Sequence, residues 1–126
     1  MASLIRNVAF DSADPYRLAQ FWSQVVDRPR PADTRPDDNE VALPLGNGTN
    51  LFFQHVPEPK SQKNRVHVCL QPETSRDQEV DRLLALGAKL HEDHRNPDGT
   101  GWAVLRDPED NEFCVERSQA ERAAAS

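Results

Sequence analysis

The side chains with chemistry to offer occupy a short set of positions. His67 is an imidazole inside the apolar run Arg65-Val66-His67-Val68-Cys69-Leu70, with a thiol, Cys69, two residues on. A second thiol, Cys114, stands in Asn111-Glu112-Phe113-Cys114-Val115-Glu116, flanked at two-residue spacing by Glu112 and Glu116. An imidazole titrates near neutrality and serves as acid, base or metal ligand. A thiol is a nucleophile or ligand only as its thiolate, and a carboxylate beside either can act as a general base. His67 is the best catalytic candidate of this set, with Glu112 or Glu116 as a candidate base. Each has a plainer alternative: a hydrogen-bonded strand histidine, a buried thiol, solvated strand ends. His91-Glu92-Asp93-His94 is also rich in ligand atoms, and its composition fits a solvated surface equally well. The 2 cysteines lack Cys-x-x-Cys spacing, which argues against a zinc ribbon or disulfide framework, and both are expected to be reduced.

The elements that position these groups repeat. A shift of about 60 residues lays Ile5-Arg6-Asn7-Val8-Ala9-Phe10 on the His67 run, and Leu51-Phe52-Phe53-Gln54-His55-Val56 on the Cys114 run. Asn7 then falls on His67 and Gln54 on Cys114. Alternation and β-branching mark all four as strands. Each half also carries one helical pattern. Asp14-Pro15 is an N-cap with proline at the first helical position, followed by the stripe Leu18, Phe21, Trp22, Val25. Ser75 and Gln78 have capping-box spacing, Val80, Leu83 and Leu84 form the stripe, and Gly87 is placed to end the helix. Val41-Ala42-Leu43 with Leu45, and Trp102-Ala103-Val104-Leu105, complete the stronger strands. Lys89-Leu90-His91 predicts a weak one, and 27–36, interrupted by Pro29, Pro31 and Pro36, predicts a loop with an edge strand.

Period-2 alternation separates two faces. Val8, Phe10, Leu51, Phe53, Val68, Leu70, Phe113 and Val115 are apolar and must pack on the helices. Asn7, Phe52, Gln54, His67, Cys69 and Cys114 fall on the opposite, mixed face, and Trp102 and Phe52 offer an aromatic wall to a flat ligand. A sheet with helices on one face and scattered polar groups on the other curls around a cleft of the kind that binds small molecules. The fold class expected is α+β: two tandem βαβββ modules, about 3–58 and 63–118, forming a curved mixed sheet around a cleft, with a frayed tail over 119–126.

Composition excludes several partners. The net charge of -6 with no basic stripe argues against nucleic acid. With 29% charged residues there is no apolar run near the roughly 20 residues of a membrane span. The opening Met-Ala-Ser-Leu-Ile-Arg-Asn does not read as a secretory signal, so a cytoplasmic location is expected.

The order of these elements resembles the vicinal oxygen chelate superfamily, which includes glyoxalase I, extradiol dioxygenases, and fosfomycin and bleomycin resistance proteins. The stretches that carry the likeness are Asp14-Pro15-Tyr16-Arg17-Leu18-Ala19-Gln20-Phe21-Trp22, Lys63-Asn64-Arg65-Val66-His67-Val68, Asp81-Arg82-Leu83-Leu84-Ala85-Leu86-Gly87-Ala88 and Asp107-Pro108-Glu109-Asp110-Asn111-Glu112-Phe113-Cys114. The resemblance implies a homodimer. In metal-dependent members it implies one ligand from the first and one from the last strand of each half, commonly His or Gln and then Glu. The positions that correspond are Asn7, Gln54, His67 and Cys114, a set with no carboxylate. No cofactor is therefore expected. Were a divalent metal bound, His67, Gln54 and Cys114 would hold it, and zinc would suit that set best.

The function expected is binding of a small molecule, such as sequestration of a drug or metabolite, without the usual superfamily metal. Two alternatives stay open: a lyase, isomerase or dioxygenase-type enzyme using His67, with or without a divalent metal, and a regulatory or structural partner with a vestigial cleft. Fold alone does not choose among them.

Overall fold

Asp14 and Pro15 start a helix, α1 (Pro15–Val26), whose first turn is closed by the Asp14 carboxylate accepting from the Arg17 backbone N–H at 3.3 Å. Its stripe, Leu18, Phe21, Trp22 and Val25, is buried. Three strands accompany it: β1 (Asn7–Ser12), β2 (Glu40–Pro44) and β3 (Asn50–His55), in the order β1-β3-β2 with β1 parallel and β2 antiparallel to β3. Phe10 lies 5.4 Å from Trp22 and 5.1 Å from Phe53 between ring centroids, so this aromatic stack joins the helix to the sheet. These elements lie in the first of two compact units, Met1–Pro59; the second begins at Lys60. The structure, a computed structural model, describes residues 1–124.

The edge strand expected within 27–36 does not form. Asp27 ends α1 in the left-handed region at φ 53°, and the chain then runs through turns closed by Thr34 N–H to the Pro31 carbonyl at 3.0 Å and Asp38 N–H to the Arg35 carbonyl at 3.1 Å. Prolines supply no N–H to a ladder, so the segment folds on itself instead. Arg30 holds it to α1, its guanidinium 4.2 Å from the centre of the Tyr16 ring.

The second unit contains β4 (Cys69–Leu70), α2 (Arg76–Leu86), β5 (Lys89–Arg95), β6 (Gly101–Arg106), β7 (Glu112–Val115) and α3 (Gln119–Ala124), with the sheet order β4-β7-β6-β5. β4 is parallel to β7, and the other pairs are antiparallel. The α2 capping box between Ser75 and Gln78 is present, and Gly87 ends the helix at φ 118°. Val80, Leu83, Ala103, Leu105, Phe113 and Val115 form the core beneath the sheet.

Three local expectations change. The strand expected over 65–70 shrinks to Cys69–Leu70: the chain bends at 65–66, just after Asn64, whose side-chain amide donates to the Glu112 carbonyl at 3.4 Å. The weak strand at Lys89 extends to Arg95 through a register shift between Leu90 and Glu92, which places the His91–His94 segment inside β5. Residues 119–124 of the expected tail form a helix in which Ser118 Oγ accepts from the Glu121 N–H at 3.1 Å while Glu121 accepts from the Ser118 N–H at 2.9 Å. The last two tail residues, 125 and 126, lie outside the described part. No helix among the described residues is long and apolar enough to cross a membrane.

Candidate functional site

Cross-strand register builds a site on the face of the second sheet opposite its core. Cys69 on β4 stands opposite Cys114 on β7, Cys114 opposite Val104 on β6, and Val104 opposite Glu92 on β5. One row therefore crosses all four strands. In the next row Trp102 faces His94, their rings stacked with centroids 4.8 Å apart and planes inclined by 26°. Phe113 and Val115 alternate with Glu112 and Cys114 along β7, and only the latter two border the cavity.

A cavity of about 330 Å³ opens on this face, bordered by His67, Cys69, Cys114, Trp102, Val104 and Glu92 among others. Trp102 keeps 45% of its surface exposed, an unusual degree for an indole beside apolar neighbours, and with His94 it forms a flat wall. Val104 supplies apolar floor. Lys63, Glu112 and Glu116 complete the polar rim.

The donor atoms of His67, Cys69 and Cys114 all lie within 4.8 Å of one another. His67 precedes β4, yet its two-residue spacing from Cys69 brings its ring to the same cluster. Cys69 is exposed and Cys114 buried, and both are free thiols. Burial, followed by the adjacent Cys69 thiol, pushes the Cys114 thiol up to about 11, so without a ligand it is neutral at pH 7.

The two candidate bases have different surroundings. Glu112 is 4% exposed and lies 2.7 Å from the Lys60 ammonium, while its carboxylate also accepts from the Asn64 N–H at 3.4 Å. Burial raises its pKa, but the Lys60 hydrogen bond and the Asn64 N–H outweigh that effect, and the carboxyl rests below its ordinary value. This arrangement ties residues 60–64 to the start of β7 and makes Glu112 a poor proton acceptor. Glu116 pairs with Arg122 at 3.1 Å in a half-exposed ion pair.

The remaining sequence candidates lie on the first unit. Asn7 accepts from the Asn50 side-chain amide at 3.0 Å, and Gln54 donates to the Asp11 carboxylate at 2.9 Å. Phe52, opposite Ala9 in register, is half-buried on that sheet. Glu92 and His94, expected on a solvated surface segment, are exposed, and both also border the cavity. The available signal was their two-residue spacing, which shares one strand face once β5 is extended.

Residues 7–116 match the family model of the glyoxalase-like domain. Among solved structures the chain is similar to a glyoxalase-related enzyme from Fulvimarina pelagi, at 15% identity and TM-score 0.68, covering 91% of this chain and 88% of that one. It is also similar to the fosfomycin resistance protein FosX from Mesorhizobium loti, at 17% identity and TM-score 0.68, over 98% and 99% of the two chains. A glyoxalase/bleomycin resistance protein/dioxygenase family enzyme from Burkholderia phytofirmans PsJN aligns at 21% identity and TM-score 0.66, over 86% and 94%. At these identities the likeness shows the fold. No curated protein matches.

Proposed function

Because the chain belongs to the glyoxalase-like domain family of the vicinal oxygen chelate superfamily, we propose that it is a small-molecule-binding protein whose ligand lies in the cavity on the second sheet. The observation that carries this reading is the stacked Trp102–His94 pair beside Val104, an exposed aromatic wall over an apolar floor with polar groups at its rim. Such a site suits a compact ligand with a planar or apolar part and one or two polar substituents. Sequestration of a drug or metabolite needs this shape alone, and the names of the solved relatives include a fosfomycin resistance protein.

The carboxylate-bound divalent metal of metal-dependent relatives does not fit the corresponding residues. Asn7 and Gln54 are neutral amides engaged with Asn50 and Asp11, and Cys114 is a buried thiol where a carboxylate would be needed. Hard cations such as magnesium and manganese prefer anionic oxygen, so no step is derived through such an ion.

Trp102 makes the test direct. Trp22, the other tryptophan, is fully buried in the first unit, so comparison with Trp102→Leu, which keeps Trp22, isolates the part of any change in indole emission that comes from Trp102. Titration with 1-anilinonaphthalene-8-sulfonate, and separately with fosfomycin, should alter emission saturably for at least one probe. Trp102→Leu should weaken that binding about tenfold or more, the loss of one aromatic contact in a ligand pocket. Absence of saturable binding by both probes, or binding unaffected by Trp102→Leu, would overturn the reading. Turnover of the glutathione hemithioacetal of methylglyoxal, abolished by His67→Ala, would replace it with the enzyme alternative.

A further inference from the structure

Three donors of one chemical character converge where carboxylates are lacking. The parallel register sets Cys69 beside Cys114 on adjacent strands, and His67 joins them from two residues upstream, with every donor atom within 4.8 Å of the others. Around a zinc ion, with Zn–S of about 2.3 Å and Zn–N of about 2.0 Å, tetrahedral ligands stand roughly 3.5–4 Å apart. The triangle therefore closes around an ion with a movement of about an ångström. Cys69 and His67 are both exposed and free to make that adjustment by side-chain rotation, while Cys114 is held by its burial.

We propose that His67, Cys69 and Cys114 form a three-ligand site for a borderline-soft d10 divalent cation of the zinc class. Two thiolates and an imidazole match such an ion in softness and cancel its charge, whereas magnesium or manganese would find no anionic oxygen among the three donors. On loading, the two thiols release their protons to solvent and the imidazole binds as the neutral ring. Glu112 is already committed to Lys60 and stays outside the donor set. All three donors border the cavity that Trp102 and Glu92 also line, so a coordination position they left open would be reached from it. That open position rests on the ligand-binding reading above; the three-donor centre does not.

The test uses the full chain, fully reduced and kept anaerobic so that no disulfide competes. Cobalt(II) is the optical probe and zinc(II) the competitor. One equivalent of cobalt should give a thiolate-to-metal charge-transfer band with tetrahedral d–d absorption, and zinc should displace it. Cys69→Ser, at an exposed position that leaves the fold intact, should weaken cobalt binding about a hundredfold or more and diminish the charge-transfer band. Cys114→Ala, checked by far-UV circular dichroism, should do the same. A wild-type protein without the charge-transfer band, or a Cys69→Ser protein that binds cobalt as wild type does, overturns the proposal. Trp102→Leu should keep the cobalt spectrum while losing the organic probe. A cobalt centre in a protein that binds neither organic probe would therefore sustain the metal site and remove the ligand-binding reading.

Discussion

The Lys60–Glu112 pair is the clearest place to test how the rim of the cavity is held. Glu112→Gln keeps the size of the side chain and a carbonyl oxygen for the Asn64 N–H, so what it removes is the charge opposite the Lys60 ammonium 2.7 Å away. The two side chains are 20% and 4% exposed. Removing one partner of a buried ion pair costs about 3–5 kcal/mol, mostly through the charge left behind. Lys60 retains enough exposure to turn partly toward water, which sets the expected loss at about 2–3 kcal/mol. Urea denaturation at pH 7 of wild type, Glu112→Gln, Lys60→Met and the double variant should give a coupling energy of about 1.5 kcal/mol or more. The dependence on pH follows from the direction of the shift. Glu112 titrates below its ordinary value of 4.5 in the folded chain, so the stability it contributes is present above that pH and is lost as the pH falls through the folded-state value. The gap between wild type and Glu112→Gln should therefore narrow below pH 4.5. A coupling under about 0.5 kcal/mol, or a gap that does not change between neutral and acid pH, would refute this account.

Other consequences concern the same unit. In chelator-treated protein at pH 8, iodoacetamide should label Cys69 well before Cys114, because a thiol raised from 9.0 to about 11 holds roughly a hundredfold less thiolate than an ordinary one; equal labelling by peptide mass spectrometry would contradict the burial argument. Arg76, 4% exposed, donates through Nη1 to the carbonyls of Gly99, Thr100 and Gly101 at 3.3, 2.8 and 3.1 Å, so Arg76→Met should cost about 2–4 kcal/mol in urea denaturation, and a loss below about 1 kcal/mol would show that water replaces it. Gly101→Ala should destabilise by about 2 kcal/mol or more, because φ is 90° there and the added Cβ would collide with the His94 carbonyl oxygen; hydrogen exchange along β5 and β6 should rise, and unchanged protection would count against it.

Much of the architecture was legible because its causes are local. Asp14-Pro15, Ser75 with Gln78, and Gly87 act within a turn of the groups they satisfy, so both long helices could be read from residue type and spacing. The alternation along β7 is likewise a property of the strand itself: all four of its residues are buried, and Glu112 and Cys114, not Phe113 or Val115, border the cavity. The reading failed where a partner outside the segment decides. The chain bends at 65–66, next to the Asn64 contact with β7, so the strand expected to contain His67 is shorter, and the register shift in β5 lengthens the weak strand at Lys89 to Arg95. Glu112 offered the composition of a general base, yet Lys60, far from it along the chain, determines its charge and its task.

The residue types and the apolar pattern by themselves determined an α+β chain with two capped helices, and singled out His67, Cys69, Trp102 and Cys114 as side chains with chemistry to offer. Tertiary structure alone decided that Cys69 stands beside Cys114, that Trp102 stacks on His94, and which carboxylate is neutralised. The physical reason is one of range. Capping and alternation act over a few residues, whereas the meeting of donor atoms depends on register between strands, which a shift of a single residue would turn to the opposite face.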